Sequence, residues 1–249
     1  MARGTVKPMD APANPWFSWQ YLERNWGEVV DAFVIHIQLT LLAVAIAVAI
    51  ALPLAILARR IPRLARPIMG FTGVLYTIPS FALFALLAPY TGIGRTTVLT
   101  GLVMYALLIL VRNILVGLEG VDPDVVDAAR GIGYGETKLL FAVELPNALP
   151  SMVAGLRLAT VSTVALVTVG VVVGYGGLGQ LMFRGLQSDY RAQIATSALL
   201  CLALALVLDV LLLVAGRAAM PWSRSSGTRT RRRAARRQLE SIENVESAA

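Results

Sequence analysis

The sequence predicts an all-α membrane protein with about five transmembrane helices and two short helices at the cytoplasmic surface. Of the 249 residues, 57% are hydrophobic and only 15% are charged, and the mean hydropathy is +0.69. Soluble domains carry about 25% charged residues, and a soluble chain could not bury this much apolar surface. The net charge of +7 comes from arginines that flank apolar runs, which argues against a basic face for nucleic acid.

Each apolar run is long enough for a membrane helix, which needs about 20 residues. The first run exceeds the thickness of the hydrocarbon core, so its helix should tilt or protrude. The second run is interrupted by Pro79, which cannot continue a helical hydrogen-bond ladder. The predicted spans cover about residues 29–58, 67–88, 96–118, 149–173 and 194–215.

The positions of the arginines predict the orientation of these spans. Residues 59–66, between the first and second spans, hold four arginines, and an arginine-rich segment begins at Arg217. Because cytoplasmic ends carry the excess of Lys and Arg, both segments should be cytoplasmic and the N-terminus should lie outside. We therefore expect a multi-pass protein of the cytoplasmic membrane. Its parts would be an extracytoplasmic segment at 1–28, a transmembrane domain at 29–216 and a basic cytoplasmic tail at 217–249.

Three tryptophans and one tyrosine precede the first span: Trp16, Trp19, Tyr21 and Trp26. Because indole and phenol rings favour the membrane–water interface, we expect them to form an aromatic belt at the outer face. The alternative is a cage of aromatic faces around a cationic ligand.

The cytoplasmic loop 119–147 carries signals for two short helices. Asp122 is a good N-cap and Pro123 suits a first helical position, so a helix is expected over 123–130, ended by Gly131 and Gly133. A second helix is expected over 137–144, stopped by Pro146. Both helices have apolar stripes, formed by Val125, Val126, Ala129 and Ile132 and by Leu139, Leu140, Phe141 and Val143. The stripes pack either under the protein's own membrane helices or against another subunit.

The residues of this loop resemble a known signature. Asp127, Ala128 and Ala129 are followed after three residues by Gly133, and nine residues later by Val143-Glu144-Leu145-Pro146. This spacing is similar to the coupling segment of the permease subunits of binding-protein-dependent ABC importers, which begins Glu-Ala-Ala. Asp127 in place of the glutamate keeps the charge and shortens the side chain.

The resemblance implies a type I ABC importer transmembrane domain that is not itself an enzyme. No phosphate-binding loop with its lysine occurs in the sequence, so ATP and Mg²⁺ would be held by a separate ATPase, and this chain would need no cofactor or metal. A separate substrate-binding protein and a second, identical or similar permease would complete the transporter. The two short helices would sit in a groove of the ATPase and transmit its closure to the membrane helices.

The same resemblance implies a role for each signature residue. Gly133 would make the sharp bend between the two helices, and Asp127 would accept hydrogen bonds or a salt bridge from the ATPase. Ala128 and Ala129 would permit close approach of the two subunits. The end of the signature, Val143, Leu145 and Pro146, would close the element and start the fourth span.

Further residues resemble the osmoprotectant branch of this family, which imports glycine betaine, carnitine or choline. They are His36, Leu39, Thr40, Ile78-Pro79-Ser80, Ala82, Arg112-Asn113, Gly155-Leu156-Arg157 and the run Gly174-Tyr175-Gly176-Gly177-Leu178-Gly179. Methionine-type permeases share the five-span plan and a similar glycine-rich turn, and a methionine or amino-acid substrate is the alternative. The glycine run also fits Gly-x-Gly-x-x-Gly, but it follows a membrane span rather than a strand, which excludes a dinucleotide site.

Two ionisable residues fall inside predicted spans. Arg157 lies in the fourth span and Asp209 in the fifth, where charges are costly and are usually paired or functional. They pair with each other, with Arg112 or with a symmetry mate, or they contact the substrate. Pro79 and Ser80 either expose backbone carbonyls to a translocation pathway or form a simple kink.

Two other classes of protein remain as alternatives. A secondary transporter or channel would need no ATPase, but such proteins usually have more spans or an internal repeat, and we find no repeat. A polytopic membrane enzyme would need convergent catalytic groups, whereas the one histidine and the one cysteine, His36 and Cys201, lie far apart in apolar runs. Capture of an ATPase by the chain discriminates between these classes and the importer.

Overall fold

The computed structural model describes residues 14–221, and every regular element in that range is a helix. A π-helical segment, Leu140–Glu144, leads into α7, and a 3₁₀ turn, Gly170–Val173, follows it. The α-helices are α1 (Trp19–Arg60), α2 (Pro62–Thr77), α3 (Ser80–Thr91), α4 (Arg95–Glu119), α5 (Pro123–Gly131), α6 (Glu136–Leu139), α7 (Leu145–Val169), α8 (Leu178–Gln187) and α9 (Arg191–Ala219).

The number of spans agrees with the sequence prediction. Within the described residues, four helical stretches are long and apolar enough to cross a membrane, or up to five if the bent pair α2 and α3 counts as one span. The pair is separated at Ile78 and Pro79, where Pro79 has an extended ψ of 135°. Proline disfavours the helical conformation of the residue before it and lacks an N–H, so the predicted interruption at Pro79 is confirmed.

The described helices form two compact units. The first unit comprises residues 14–43, Ile78–Leu102 and Ser162–Ala205. Its apolar core includes Val29, Leu178 and Leu181, and a T-shaped pair of rings, Tyr21 and Tyr190, with centroids 5.3 Å apart.

This core corrects one aromatic prediction. Tyr21 is only 3% exposed because it packs in the core of the first unit and against Tyr190, so it is not part of an aromatic belt. Trp16, Trp19 and Trp26 are each more than 60% exposed, as a belt at an interface requires. The prediction of an aromatic belt is therefore wrong for Tyr21 and stays a prediction for the three tryptophans.

Helix α8, between the fourth and fifth predicted spans, was not predicted from the sequence. The helix is only ten residues long and amphipathic, with buried Leu178 and Leu181 on one face and exposed Phe183 and Leu186 on another. A short amphipathic helix has too few apolar residues in sequence to stand out in a hydropathy profile.

The second unit comprises Val44–Thr77, Val103–Val161 and residues 206–221. Glycines allow its helices to approach closely. A Cβ added at Gly117 would lie 2.9 Å from the carbonyl oxygen of Ala148, and one added at Gly216 would lie 2.5 Å from a methyl group of Val153. Small residues at helix contacts are the usual way of packing membrane helices.

Candidate functional site

Helix α5 begins as its cap residues predict. The carboxylate of Asp122 accepts a hydrogen bond from the backbone N–H of Asp124 at 2.9 Å, and Pro123 occupies the first turn. Asp122 therefore satisfies one of the free N–H groups of the first turn, while Pro123 has no N–H to satisfy. The start of the predicted helix is confirmed.

The end of α5 is a Schellman motif centred on Gly133. The N–H of Tyr134 donates to the carbonyl of Ala129 at 3.1 Å, and the N–H of Gly133 donates to the carbonyl of Arg130 at 2.9 Å. Gly133 takes a left-handed φ of +89°, which glycine adopts without steric cost. Gly131 lies inside the helix, so the bend depends on Gly133 alone of the two predicted glycines.

The two short helices are held together by an internal apolar cluster. Val126 and Ala129 of α5 pack with Leu139 of α6, and Val121 before α5 completes the buried set. Tyr134 packs against this cluster, as a Schellman motif usually arranges. Ala129 is thus buried within the loop itself, while Ala128 is exposed.

Part of each apolar stripe is uncovered. Ile132, at the end of α5, is 75% exposed, and Phe141, in the π-helical segment, is 64% exposed. Val125 is also exposed. Val126, Ala129 and Leu139 pack on one another within the loop, an arrangement that neither interpretation of the stripes predicted. Nothing among the described residues covers Ile132 and Phe141.

The second helix differs from its prediction. The sequence placed a helix at 137–144 that Pro146 stops, but α6 runs from Glu136 to Leu139 and passes through the π-helical segment directly into α7. Pro146 is the second residue of α7, directly after the π-helical segment, so it does not stop the helix. Val143, Leu145 and Pro146 therefore join the loop to the membrane helix without a break.

Ion pairs link charged residues of this loop to one another and to the end of α1. Arg130 donates a hydrogen bond to Glu136 at 3.2 Å, and its guanidinium lies 3.9 Å from the carboxylate of Asp127. Asp127 itself is 76% exposed, so its second carboxylate face is open to solvent. Glu144 lies 3.7 Å from Arg59 at the end of α1.

The structure brings Arg157 of α7 and Asp209 of α9 together. Two N–H groups of the guanidinium donate to the two carboxylate oxygens at 2.8 and 2.7 Å, a bidentate arrangement. Of the partners considered from the sequence, the described structure pairs these two residues with each other. Pro79 and Ser80 lie elsewhere, at the start of α3.

His36 has a role that the sequence did not indicate. Its buried ring accepts a hydrogen bond from the N–H of Leu178 at Nδ1, 3.3 Å away, so Nε2 carries the proton and donates to the carbonyl of Val164 at 3.0 Å. A Cβ at Gly177, which has φ +53°, would lie 2.9 Å from Cβ of His36. The glycine run at 174–179 is thus closely packed at Gly177.

The chain matches a known protein family and is similar in sequence to several transport permeases. Residues 47–224 match the family model described as "Binding-protein-dependent transport system inner membrane component". An osmoprotectant import permease protein of Salmonella typhimurium is 39% identical over 198 residues, 77% of this chain and 92% of the relative. A glycine betaine/carnitine/choline transport system permease protein of Bacillus subtilis is 30% identical over 201 residues, 81% of this chain and 93% of the relative.

Among solved structures, the inward-facing MetNI methionine ABC transporter contains a similar chain. The TM-score is 0.69 with 22% sequence identity, and the match covers 80% of this chain and 97% of that one. At this identity the likeness concerns the fold, which is the type I ABC importer transmembrane domain predicted from the sequence.

Proposed function

The chain belongs to the binding-protein-dependent transport system inner membrane components, and on that premise we propose that it imports small quaternary-ammonium osmoprotectants as the permease subunit of an ATP-driven transporter. Its substrates would be glycine betaine, carnitine or choline, which the names of relatives 30–39% identical support. ATP hydrolysis belongs to a partner ATPase that holds ATP and Mg²⁺, and this chain performs no chemistry on the substrate.

One observation carries the coupling part of the proposal. The loop 119–147 buries one side of its apolar stripes in its own cluster and leaves Ile132 and Phe141 uncovered on the other. Large apolar side chains at such exposure on a rigid surface element are typical of a protein interface. The exposed Asp127 and Ala128 lie in the same loop, with the spacing of the family signature.

The mechanism follows from the rigidity of this element. Its caps, its buried cluster and the Arg130–Glu136 pair hold α5 and α6 as one body. When the ATPases close on ATP, that body moves with them, and its unbroken connection to α7 tilts the membrane helix. ATP drives the change because the ATPases bind it differently in the two states.

Each signature residue has a proposed part in this movement. Gly133 makes the bend and leaves open space above it, and Asp127 accepts a hydrogen bond or salt bridge from the ATPase in exchange for its distant partner Arg130. Ala128 permits close approach to the ATPase. Ala129 acts differently from the sequence prediction, because its small side chain allows the two short helices to pack on each other.

The residues away from the loop have structural or pathway roles in the proposal. The Arg157–Asp209 pair joins α7 to α9, and two mutually neutralised charges are tolerated in lipid where one is not. Pro79 and Ser80 open the helix at a point where the carbonyls before the break lose their helical partners, and such breaks are tolerated where they line a watery path.

The complete importer would contain three further components. A separate extracytoplasmic binding protein delivers the substrate, an ATPase docks at loop 119–147, and a second permease, identical or similar, supplies the other half of the pathway. The N-terminal segment 1–28 lies outside, the transmembrane domain spans 29–216, and the basic tail 217–249 lies in the cytoplasm. The positions of the arginines support this orientation.

A double variant tests the docking surface. Ile132→Ser with Phe141→Ser removes both exposed apolar groups and leaves the buried cluster in place. Ile132 is the C-cap of α5, but it caps through its backbone N–H, which serine keeps. The chain should therefore insert normally but capture the ATPase at least about tenfold less well. Ile93→Ser, at an 84% exposed residue in the turn before α4, is the matched control and should leave capture unchanged. Equal capture by the double variant and the wild type would reject the docking surface.

The substrate is tested on the binding protein. Calorimetric titration of the cognate binding protein should give a dissociation constant in the micromolar range or tighter for choline, carnitine or glycine betaine, and no binding of methionine. An amino acid that binds while the three quaternary ammonium compounds do not would establish the alternative, an amino-acid permease. Uptake by the chain without any ATPase would instead establish a secondary transporter or channel.

A further inference from the structure

A cavity of about 360 Å³ in the second unit is lined entirely by charged residues, which are Arg59, Arg60, Arg130, Glu136 and Glu144. Three arginines face two glutamates, so the lining carries a net charge of +1. Arg130 and Glu136 help to hold the loop together, but Arg59, Arg60 and Glu144 have no part in the apolar docking surface, and the cavity calls for an explanation of its own.

The cavity offers more hydrogen-bond donors than acceptors. Each guanidinium has five N–H groups. Arg130 donates to Glu136 at 3.2 Å, but Arg59 lies 3.7 Å from Glu144, beyond hydrogen-bonding distance. The buried Nε of Arg59 has no hydrogen-bond partner within the described chain, and Arg60 forms no ion pair with any described residue. A ligand that supplies oxygen acceptors would satisfy this surplus.

The position of the cavity indicates the source of those oxygens. The apolar run of α1 ends at Ala58, and Arg59 and Arg60 form its last turn. Where a spanning apolar run meets its first arginines, the side chains reach the level of the lipid phosphates. Basic pockets that border the ends of membrane helices are typical binding sites for anionic head groups.

We propose that this cavity binds the phosphate group of an anionic phospholipid. The phosphate oxygens accept hydrogen bonds from Arg59 and Arg60, whose guanidinium groups have unused donors in the structure. They also compete with Glu136 for the hydrogen bonds of Arg130. Bound there, the lipid ties the end of α1 to α6 and to the π-helical segment. An acidic side chain of a partner protein has similar oxygens, but the interfacial depth of Arg59 and Arg60 favours the lipid. The proposal requires a membrane protein and is independent of the transported substrate.

The test uses the full chain in nanodiscs of phosphatidylcholine with increasing phosphatidylglycerol, and native mass spectrometry counts the lipids it retains. The wild type should retain phosphatidylglycerol preferentially, and Arg60→Gln should weaken that retention about tenfold, as the loss of charge-assisted hydrogen bonds implies. Arg63→Gln is the matched control, since Arg63 is exposed in the same basic stretch but does not line the cavity, and it should change retention by less than about twofold.

A second variant keeps the proposal testable if Arg60→Gln folds poorly. Glu144→Gln removes the carboxylate beside Arg59 and should raise phosphatidylglycerol retention about threefold, because the phosphate loses a competitor. Unchanged or weaker retention in Glu144→Gln overturns the proposal, as does equal retention in Arg60→Gln and Arg63→Gln.

Two further arms separate other sources of the same oxygens. Inorganic phosphate is titrated into the wild type in pure phosphatidylcholine nanodiscs. Millimolar binding that needs Arg60, with lipid retention independent of Arg60, would make the site one for free phosphate and overturn the lipid assignment. Loss of ATPase capture in Arg60→Gln with unchanged lipid retention would make the cavity a protein contact and likewise overturn it.

Discussion

Replacing Gly133 separates the backbone role of this residue from its place on the docking surface. At φ +89°, the backbone conformation of an L-residue lowers the stability of the fold by about 1–2 kcal/mol. A Cβ here would meet no atom within 4 Å, so no clash with neighbouring atoms adds to this loss. Gly133→Ala therefore pays the full backbone cost with the smallest side chain. Gly133→Asp has a lower backbone cost, because aspartate tolerates the left-handed region better, but it places bulk and charge on the proposed ATPase-docking surface.

The two variants therefore rank in opposite orders under the two roles. If the bend alone matters, Gly133→Ala is the more harmful; if the ATPase packs onto the bend, Gly133→Asp is. The account predicts that both variants insert normally, that Gly133→Ala lowers ATP-driven uptake by at most about thirtyfold, and that Gly133→Asp abolishes it.

The assay is uptake of labelled choline into proteoliposomes that contain the chain, its ATPase and its binding protein. Protein recovered in the membrane fraction and its thermal unfolding serve as the control for insertion and folding. Normal uptake with normal ATP coupling in Gly133→Asp would refute the docking role of the bend. Equal failure of insertion in both variants would show that Gly133 serves the fold of the loop.

Two further predictions concern packing inside the membrane. Arg157→Ala or Asp209→Ala alone leaves one unpaired charge and should lower the thermal stability of the purified chain. The charge swap Arg157→Asp with Asp209→Arg should recover part of the lost stability. No recovery in the swapped variant would contradict a direct pair. Gly177→Ala combines a left-handed φ with a Cβ 2.9 Å from His36, and it should lower the free energy of unfolding by about 2–5 kcal/mol. Gly174→Ala has a left-handed φ of +76° but no contact closer than 3.8 Å, so it should lower that free energy by only about 1–2 kcal/mol. Equal losses for the two glycine variants would contradict the close packing at Gly177.

What the sequence predicted well depends on local chemistry. Asp122 and Pro123 start α5, Gly133 bends the chain after it, and Pro79 separates α2 from α3, in each case because backbone geometry within a few residues decides the outcome. Apolar runs of about 20 residues likewise predict spans without reference to the rest of the chain.

What the sequence did not predict depends on contacts between distant residues. Tyr21 reads as an interfacial aromatic until Tyr190, far along the chain, packs against it. The buried half of the loop's apolar stripes could not be told from the exposed half, because periodicity gives a face but not its partner. Pro146 was predicted to stop the second short helix. In the structure the π-helical segment instead carries the chain directly into α7, which includes Pro146.

The central claim is that the chain couples ATP hydrolysis on a partner to substrate movement through loop 119–147. Reconstituted uptake tests it most directly, with labelled choline in proteoliposomes that contain the wild-type chain or the Ile132→Ser, Phe141→Ser variant. The account predicts concentrative uptake by the wild type only when ATP, the ATPase and the binding protein are all present, and none by the variant. Uptake that persists without the ATPase, or that the variant supports at the wild-type rate, would contradict it.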